Sequence, residues 1–218
     1  MSLFKIEPLN ASTQVGIWKI EETAEELSSR AILSSAEEDQ LRSFKSETRK
    51  KQWLSYRILL NEMLPGNPLF LEYDLFGKPA LKEHSLFLSI SHSGEYAAVI
   101  ISKTHPVGID IERITGRIER IRSKFLVPEE EKQIGEVNRL EKLYVIWGAK
   151  ESLYKIYGRP EVEFQRDIFI ESFPYLCIGK GQCRGRMKTP DGEELYTIFF
   201  ERIDGYMLVY AFKNGPGE

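Results

Sequence analysis

Cysteine and histidine are scarce in this chain: two cysteines, Cys177 and Cys183, and three histidines stand among 218 residues. The cysteines match no metal-ligand spacing, so neither a zinc site nor a disulfide framework organises the fold. They read as plain thiols of a reducing compartment. Long apolar runs are lacking too. Tyr96 to Ile101 is typical of the longest, far short of the ~20 residues a bilayer-crossing helix needs. Met1 to Glu7 show no charged segment ahead of an apolar stretch, so no signal peptide is expected. No sign of charge dominates: 30 basic residues face 33 acidic ones for a net −3, which removes the electrostatic footprint of a nucleic-acid binder. A soluble cytoplasmic protein is the default expectation. Its length suits one large domain or two small, tightly joined ones, and 42% hydrophobic residues suffice for a core.

Taken in order, residues 6 to 20 read as extended, ending in a strand from Val15 to Ile20. Thr23 with Glu26 is a capping box that starts a helix. A second box opens the next helix, on either Ser34 and Glu37 or Ser35 and Glu38. Its face carries Leu41 and Phe44, followed by the basic residues Arg42, Lys45, Arg49, Lys50 and Lys51. From Gln52 a periodic helix is expected, with Trp53, Tyr56, Leu59, Leu60 and Met63 on its apolar stripe and the Pro65 to Pro68 stretch as its stop. Phe70 to Asp74 suits a short strand. Gly77-Lys78-Pro79 suits a turn with a lysine at its tip. Arg113 to Arg122 is basic and partly helical, and Pro128 with the acids behind it starts a helix. Leu140 to Tyr157 carries the clearest helical pattern, closed by Gly158-Arg159-Pro160. Ile168–Ile170, Gln182–Met187, Tyr196–Phe200 and Tyr206–Phe212 read as an antiparallel meander with turns at Pro190-Asp191-Gly192 and Asp204-Gly205. The order points to two α+β halves that meet near residues 102–106.

Chemistry concentrates in the middle of the chain. Apolar runs flank Ser91-His92-Ser93-Gly94, and a third run, Val107-Gly108-Ile109-Asp110-Ile111-Glu112, ends in two carboxylates. Side chains alternate along a strand, so Asp110 and Glu112 share a face about 6–7 Å apart, while Gly108, Ile109 and Ile111 leave the opposite face apolar. Like charges at that spacing repel unless a cation or proton joins them. Glu151, on the helix downstream, makes a third carboxylate. Three acids without His or Cys suit Mg²⁺ rather than zinc. The small residues at 91–94 suit a loop whose N–H groups cradle an anion, with His92 as an added donor. The ordinary alternative there is a hairpin turn with a satisfied histidine. The run Arg42, Lys45, Arg49, Lys50, Lys51 and Arg57 is either a solvated helix face or a holder for an outer phosphate. Glu151 and Lys155, four apart, suit a plain ion pair. Alternatively they bring a carboxylate and an ammonium to a phosphoryl-type transfer.

Together these pieces resemble the 4'-phosphopantetheinyl transferases of the Sfp type. Gly77-Lys78-Pro79 is similar to the family's GKP turn, and Ser89-Ile90-Ser91-His92-Ser93 to its (N/S)-x-SHS motif. Val107 to Glu112 matches (I/V)G(I/V)D-x-E, and Trp147 to Lys155 matches W-x-x-KE-(S/A)-x-x-K. The resemblance covers residues 77–155 in order and spacing, and only in pattern beyond them. It implies an α+β, pseudo-twofold monomer of two similar halves, each an antiparallel sheet packed on helices. Residues 1–103 would contact the 3'-phosphate and diphosphate of coenzyme A, and residues 104–218 would hold Mg²⁺ and the catalytic groups, with coenzyme A in the cleft between. The implied reaction moves the phosphopantetheine arm to a serine of an apo acyl or peptidyl carrier protein and releases 3',5'-ADP. Asp110, Glu112 and Glu151 would bind the metal. Glu151 would also deprotonate the serine, Lys155 would neutralise the departing phosphate, and Lys78, Ser91 and His92 would contact the diphosphate. For the 3'-phosphate, Ser35 to Asp39 is acidic where many members are basic, which leaves Arg49 and Lys51, with Arg42 in reserve. Arg117, Arg120, Arg122 and Lys124 are candidate docking residues for the acidic carrier, with Leu126 as an apolar anchor. No membrane or nucleic-acid partner is implied. Two other readings stand beside this one: an idle carrier-binding module, against which three intact acids argue, and a Mg²⁺ nucleotidyl transferase or phosphodiesterase, which would need a base-recognition motif.

Overall fold

The structure, a computed structural model, describes residues 3–66, 68–82, 84–176 and 178–213; Asn67 and Cys177 lie outside them. Contacts divide the chain into two units, Met1–Thr104 and His105–Glu218. Both are α+β with antiparallel sheets. Among the described residues no helix is long and apolar enough to cross a membrane.

The first unit runs β1 (Leu3–Pro8), β2 (Thr13–Lys19), α1 (Ala24–Arg30), α2 (Ser35–Ser43), α3 (Glu47–Met63), β3 (Leu71–Tyr73), β4 (Pro79–Leu81), β5 (Phe87–Ser93) and β6 (Tyr96–Ser102). Its main sheet has the order β1-β2-β6-β5, and β3 and β4 form a separate hairpin. Both capping boxes form. Thr23 Oγ1 accepts from the Glu26 N–H at 3.2 Å, and of the two candidates for α2 the structure uses Ser34 with Glu37. The helix expected from Gln52 begins five residues earlier. Ser46 Oγ accepts the Arg49 N–H at 3.3 Å, so Arg49, Lys50 and Lys51 ride on the first turns of α3. Those turns carry no apolar period, which is why pattern alone missed them. Further along, Trp53, Leu59, Leu60 and Met63 pack with Trp18, Leu88 and Val99 in one core.

The stretch Ser91-His92-Ser93 is strand, not an anion-cradling loop. All three residues lie in β5, in register with Ala98, Ala97 and Tyr96 of β6. The reversal is confined to Gly94 and Glu95, with Gly94 at φ +51. Backbone polar groups that face β6 are committed to the ladder. β5 is the edge strand of its sheet, so the side chains and the outward-facing backbone groups of this segment are the ones open to a ligand.

The second unit runs β7 (Val107–Arg113), α4 (Arg117–Ile121), a 3-10 turn (Arg122–Lys124), α5 (Pro128–Ile134), α6 (Arg139–Tyr157), α7 (Phe164–Asp167), β8 (Ile168–Ile170), β9 (Lys180–Thr189), β10 (Gly192–Ile203) and β11 (Tyr206–Lys213). The meander forms as expected, and β7 completes the sheet as β7-β11-β10-β9-β8. Helix α6 ends where Gly158, at φ +71, adopts the left-handed conformation and its N–H caps the Tyr154 carbonyl at 2.8 Å. Leu143, Ile146, Ala149 and Leu153 of α6 share a core with Ile198, Phe200, Met207 and Val209 of the sheet. This packing lays α6 across β7 and β11. Leu126, expected as an apolar anchor for the carrier, belongs to the same core at 5% exposure: an apolar residue between cations is drawn inward when the chain can bury it.

Candidate active site

Strand β7 and helix α6 build the site of the second unit. In β7 the residues Gly108, Asp110 and Glu112 alternate onto one face, opposite Ala211, Val209 and Met207 of β11. Gly108 thus lies on the acids' face, not on the apolar face expected from sequence. A Cβ at Gly108 would overlap the carbonyl oxygen of Ser152, so only glycine lets α6 approach this closely. One turn earlier, a Cβ at Gly148 would stand 2.6 Å from Val209 Cγ2 and 3.7 Å from Asp110 Oδ2. Ser152 Oγ donates to the Val209 carbonyl at 3.2 Å. These contacts set α6 against β7 and bring Glu151 and Lys155 to the acids.

The charges there are unevenly settled. Asp110 is 5% exposed and its Oδ1 accepts from Lys155 Nζ at 2.8 Å. Lys155 Nζ also donates to the Ile109 carbonyl at 2.8 Å. The ordinary Glu151–Lys155 pair along the helix therefore does not form; the ammonium crosses to the strand. Glu151 is half-buried, and its carboxylate makes no hydrogen bond or ion pair among the described residues. Burial first, then repulsion from Asp110 and Glu112, pushes its carboxyl up to about 7, with Lys155 pulling the other way.

This donor set fits a hard divalent cation in kind: carboxylate oxygens only, one of them short of counter-charge. Among the described residues no three His, Cys, Asp or Glu side chains are already gathered to hold a metal. The Lys155 ammonium is the cation that meets Asp110 as the chain stands.

In the first unit Arg49 and His92, 43 residues apart, meet with Arg49 Nη1 2.7 Å from His92 Nε2. A guanidinium can only donate, so this imidazole nitrogen accepts. The His92 ring stacks on Tyr56 at 6.1 Å and 7°, and the Arg49 guanidinium lies 5.6 Å from the Phe44 ring centre. Ser91 is buried at 8% exposure. Lys78 follows Gly77, whose φ of +82 makes the turn that Asp74 closes by accepting the Lys78 N–H at 2.9 Å. Burial draws the Lys78 ammonium pKa down, opposed by Asp74. Lys51 makes no ion pair among the described residues.

Two members of the expected basic run are otherwise engaged. Arg57 is 3% exposed, bound to Glu37 Oε1 at 3.0 Å with its guanidinium 3.3 Å from the Trp53 ring centre. It is a core residue with no phosphate role. Arg42 pairs with Asp39 at 2.8 Å and Glu38 at 2.9 Å on the surface of α2. Among the docking candidates, Arg117, Arg120 and Lys124 are exposed. Arg122 is taken up by Glu131 at 3.0 Å and Glu119 at 3.7 Å.

A sequence model described as the 4'-phosphopantetheinyl transferase superfamily matches residues 106–174, the segment that holds β7 and α6. Over that segment the chain is similar to the 4'-phosphopantetheinyl transferase superfamily. Over 167 residues it is 30% identical to the 4'-phosphopantetheinyl transferase gsp of Aneurinibacillus migulanus, covering 70% of this chain and 66% of that protein. It is 34% identical over 116 residues to the 4'-phosphopantetheinyl transferase AcpT of Escherichia coli strain K12, covering 50% of this chain and 59% of that one. The 4'-phosphopantetheinyl transferase HetI of a Nostoc species is 27% identical over 168 residues, 67% of this chain and 70% of its own. The chain thus spans under two thirds of the first two relatives' length.

Within the superfamily motif W-x-x-KE, the structure separates residues that sequence had left together. Trp147, Lys150 and Tyr154 share one face of α6, where Trp147 meets Phe125 at 5.2 Å and Tyr154 meets Phe164 at 5.7 Å. Gly148, Glu151, Ser152 and Lys155 occupy the neighbouring face, toward β7 and β11. Sequence reasoning missed Gly148, and it missed Glu130, which pairs with Lys150. A glycine inside a strong helix pattern was the available signal for the first. Glu130 stands in a run of three acids and carried none.

Proposed function

We propose that the chain is a transferase of the Sfp type, moving the 4'-phosphopantetheine arm of coenzyme A to a serine hydroxyl of an apo carrier protein and releasing 3',5'-ADP. The observation that carries this reading is Glu151: a half-buried carboxyl, held up to about 7 beside Asp110 and Glu112, within the segment that matches the superfamily. Asp110, Glu112 and Glu151 would hold Mg²⁺, which when bound supplies Lewis-acid neutralisation of the diphosphate. The serine Oγ forms a bond to the phosphorus of the arm. The bond from that phosphorus to the bridging oxygen breaks, and this oxygen leaves with the nucleotide. Glu151 takes the serine proton. Lys155, already among these acids, neutralises charge on the departing phosphate.

In the first unit, Lys78, Ser91 and His92 are the diphosphate contacts, and Arg49 and Lys51 the 3'-phosphate contacts. Arg42 is the weaker candidate because two carboxylates already share it. Arg117, Arg120 and Lys124 offer an acidic carrier its docking charges. We take the protein to be a cytoplasmic monomer, consistent with the free, buried thiol of Cys183.

The test is to incubate the protein with coenzyme A, Mg²⁺ and several apo carriers and to weigh each carrier. A gain of one phosphopantetheine arm supports the reading; no gain with any carrier ends it. Full activity in Asp110→Ala or Glu151→Ala would refute the metal assignment alone.

A further inference from the structure

Lys150 precedes Glu151 in sequence but points elsewhere. Lys150 and Glu130 side chains are both 0% exposed, with Nζ to Oε2 at 2.8 Å. Lys150 Nζ also donates to the Phe125 carbonyl at 2.7 Å and the Phe164 carbonyl at 3.0 Å, which uses all three ammonium protons. Glu130 accepts in addition from the N–H of Val127 at 3.1 Å and of Ile170 at 2.8 Å. From the other side, Gln165 Nε2 donates to the carbonyls of Ser123 at 2.9 Å and Leu126 at 2.7 Å. Residues 123–127 thus form the irregular joint between the basic segment and α5, and side chains hold its carbonyls one after another. Gains from a buried ion pair over well-packed apolar residues are small or negative. Its distinct property is direction: hydrogen bonds fix where a backbone lies, whereas apolar packing tolerates sliding.

We propose that the Lys150–Glu130 pair is a positioning device, holding the basic segment 117–124 in fixed register on the helix that carries Glu151. Its kinetic consequence rests on the transfer reading: Arg117, Arg120 and Lys124 are then presented to an acidic carrier at a set place relative to Glu151. Coenzyme A binding does not depend on it.

The test uses the full chain and the double variant Glu130→Gln/Lys150→Met, which removes both charges together and keeps an acceptor for the Ile170 N–H. A second variant, Gln165→Ala, loosens the same joint from an exposed position without touching the buried pair. Melting temperature, hydrogen exchange across 117–127, and KM for coenzyme A and for an apo carrier are read for each. The expected double variant is folded, exchanges about tenfold faster in 117–127 than the wild type, and leaves exchange in α6 unchanged. Its KM for the carrier rises about tenfold while that for coenzyme A stays within twofold. Gln165→Ala moves the same quantities about threefold, and it decides the matter alone if the double variant does not fold. Unchanged exchange with both KM values unchanged overturns the proposal, and so does an equal rise in both KM values. If the wild-type chain modifies no carrier, the transfer reading falls, and exchange in 117–127 then decides the positioning role.

Discussion

Replacing Glu151 by Gln should make the metal-free protein more stable, and the gain should depend on pH. A carboxyl raised from 4.5 to about 7 on folding holds its proton more tightly in the folded state than in the unfolded one. The folded state then loses ground as pH rises from about 4.5 to about 7; below that window the penalty is absent and above it complete. A shift of this size corresponds to roughly 3 kcal/mol. The side chain is only half-buried, so solvent screening trims this to about 2 kcal/mol. For a chain of this length that is about 4–8 °C in melting temperature at pH 8. Glutamine removes both the burial cost of the charge and the repulsion from Asp110 and Glu112. The assay is thermal unfolding of both proteins at pH 5 and pH 8, with chelator and with Mg²⁺. With chelator the variant should melt higher at pH 8 and close to wild type at pH 5. Mg²⁺ at ten times its dissociation constant should raise wild-type stability by about 1.4 kcal/mol and the variant by clearly less. A variant no more stable than wild type at pH 8 with chelator, or equal stabilisation of both by Mg²⁺, would refute the reasoning.

Three further outcomes are expected. Gly108→Ala puts a methyl group into the Ser152 carbonyl; urea unfolding should show a loss of about 1–3 kcal/mol or more, and a loss under ~0.5 kcal/mol would mean α6 does not depend on that approach. Arg57→Met leaves the Glu37 carboxylate, 6% exposed, without its guanidinium and should cost about 3–5 kcal/mol, whereas Arg42→Met, which breaks only surface pairs, should stay within ~0.5 kcal/mol. In transfer assays at low salt Arg49→Ala and Lys51→Ala should each raise the KM for coenzyme A about tenfold, with Arg42→Ala near wild type; the opposite ranking would move the 3'-phosphate contact to α2.

What was legible in the sequence followed from periodicity. The meander strands alternate buried and exposed residues, as in β9, where Cys183, Gly185 and Met187 are buried and their neighbours exposed. Helix α6 has both a continuous apolar stripe and a glycine stop. Ser91 to Ser93 misled because small hydroxyl residues suit a loop as well as a strand, and only pairing with β6 decides between them. Arg57 stands four residues after Trp53 and three before Leu60, so its place on the apolar stripe of α3 was readable. Its counter-charge, Glu37 on another helix, was not. Lys150 and Lys155 look equivalent on paper. One is sealed against Glu130 and the other reaches Asp110, because helical geometry turns them to different faces and the partners come from distant segments.

The two acids of β7 and the third on α6 depend on a spacing that neither motif holds alone. A carboxylate on a helix comes within electrostatic reach of a strand only if the two backbones approach unusually closely. Gly108 on the strand meets the Ser152 carbonyl, and Gly148 on the helix meets Val209. Both glycines stand within three residues of the acids they serve, Gly108 two before Asp110 and Gly148 three before Glu151. Each acid and its spacer therefore share one local periodicity, two in the strand and about 3.6 in the helix, and so one face. An alanine at either position should displace Glu151 from Asp110 before it alters any charged group. The measurable sign would be a Glu151 carboxyl titrating below about 7 in the Gly108→Ala protein, because the repulsion from Asp110 that helps to hold it there weakens with distance. A titration unchanged in that variant would mean that some contact other than the glycine approach sets the distance between helix and strand.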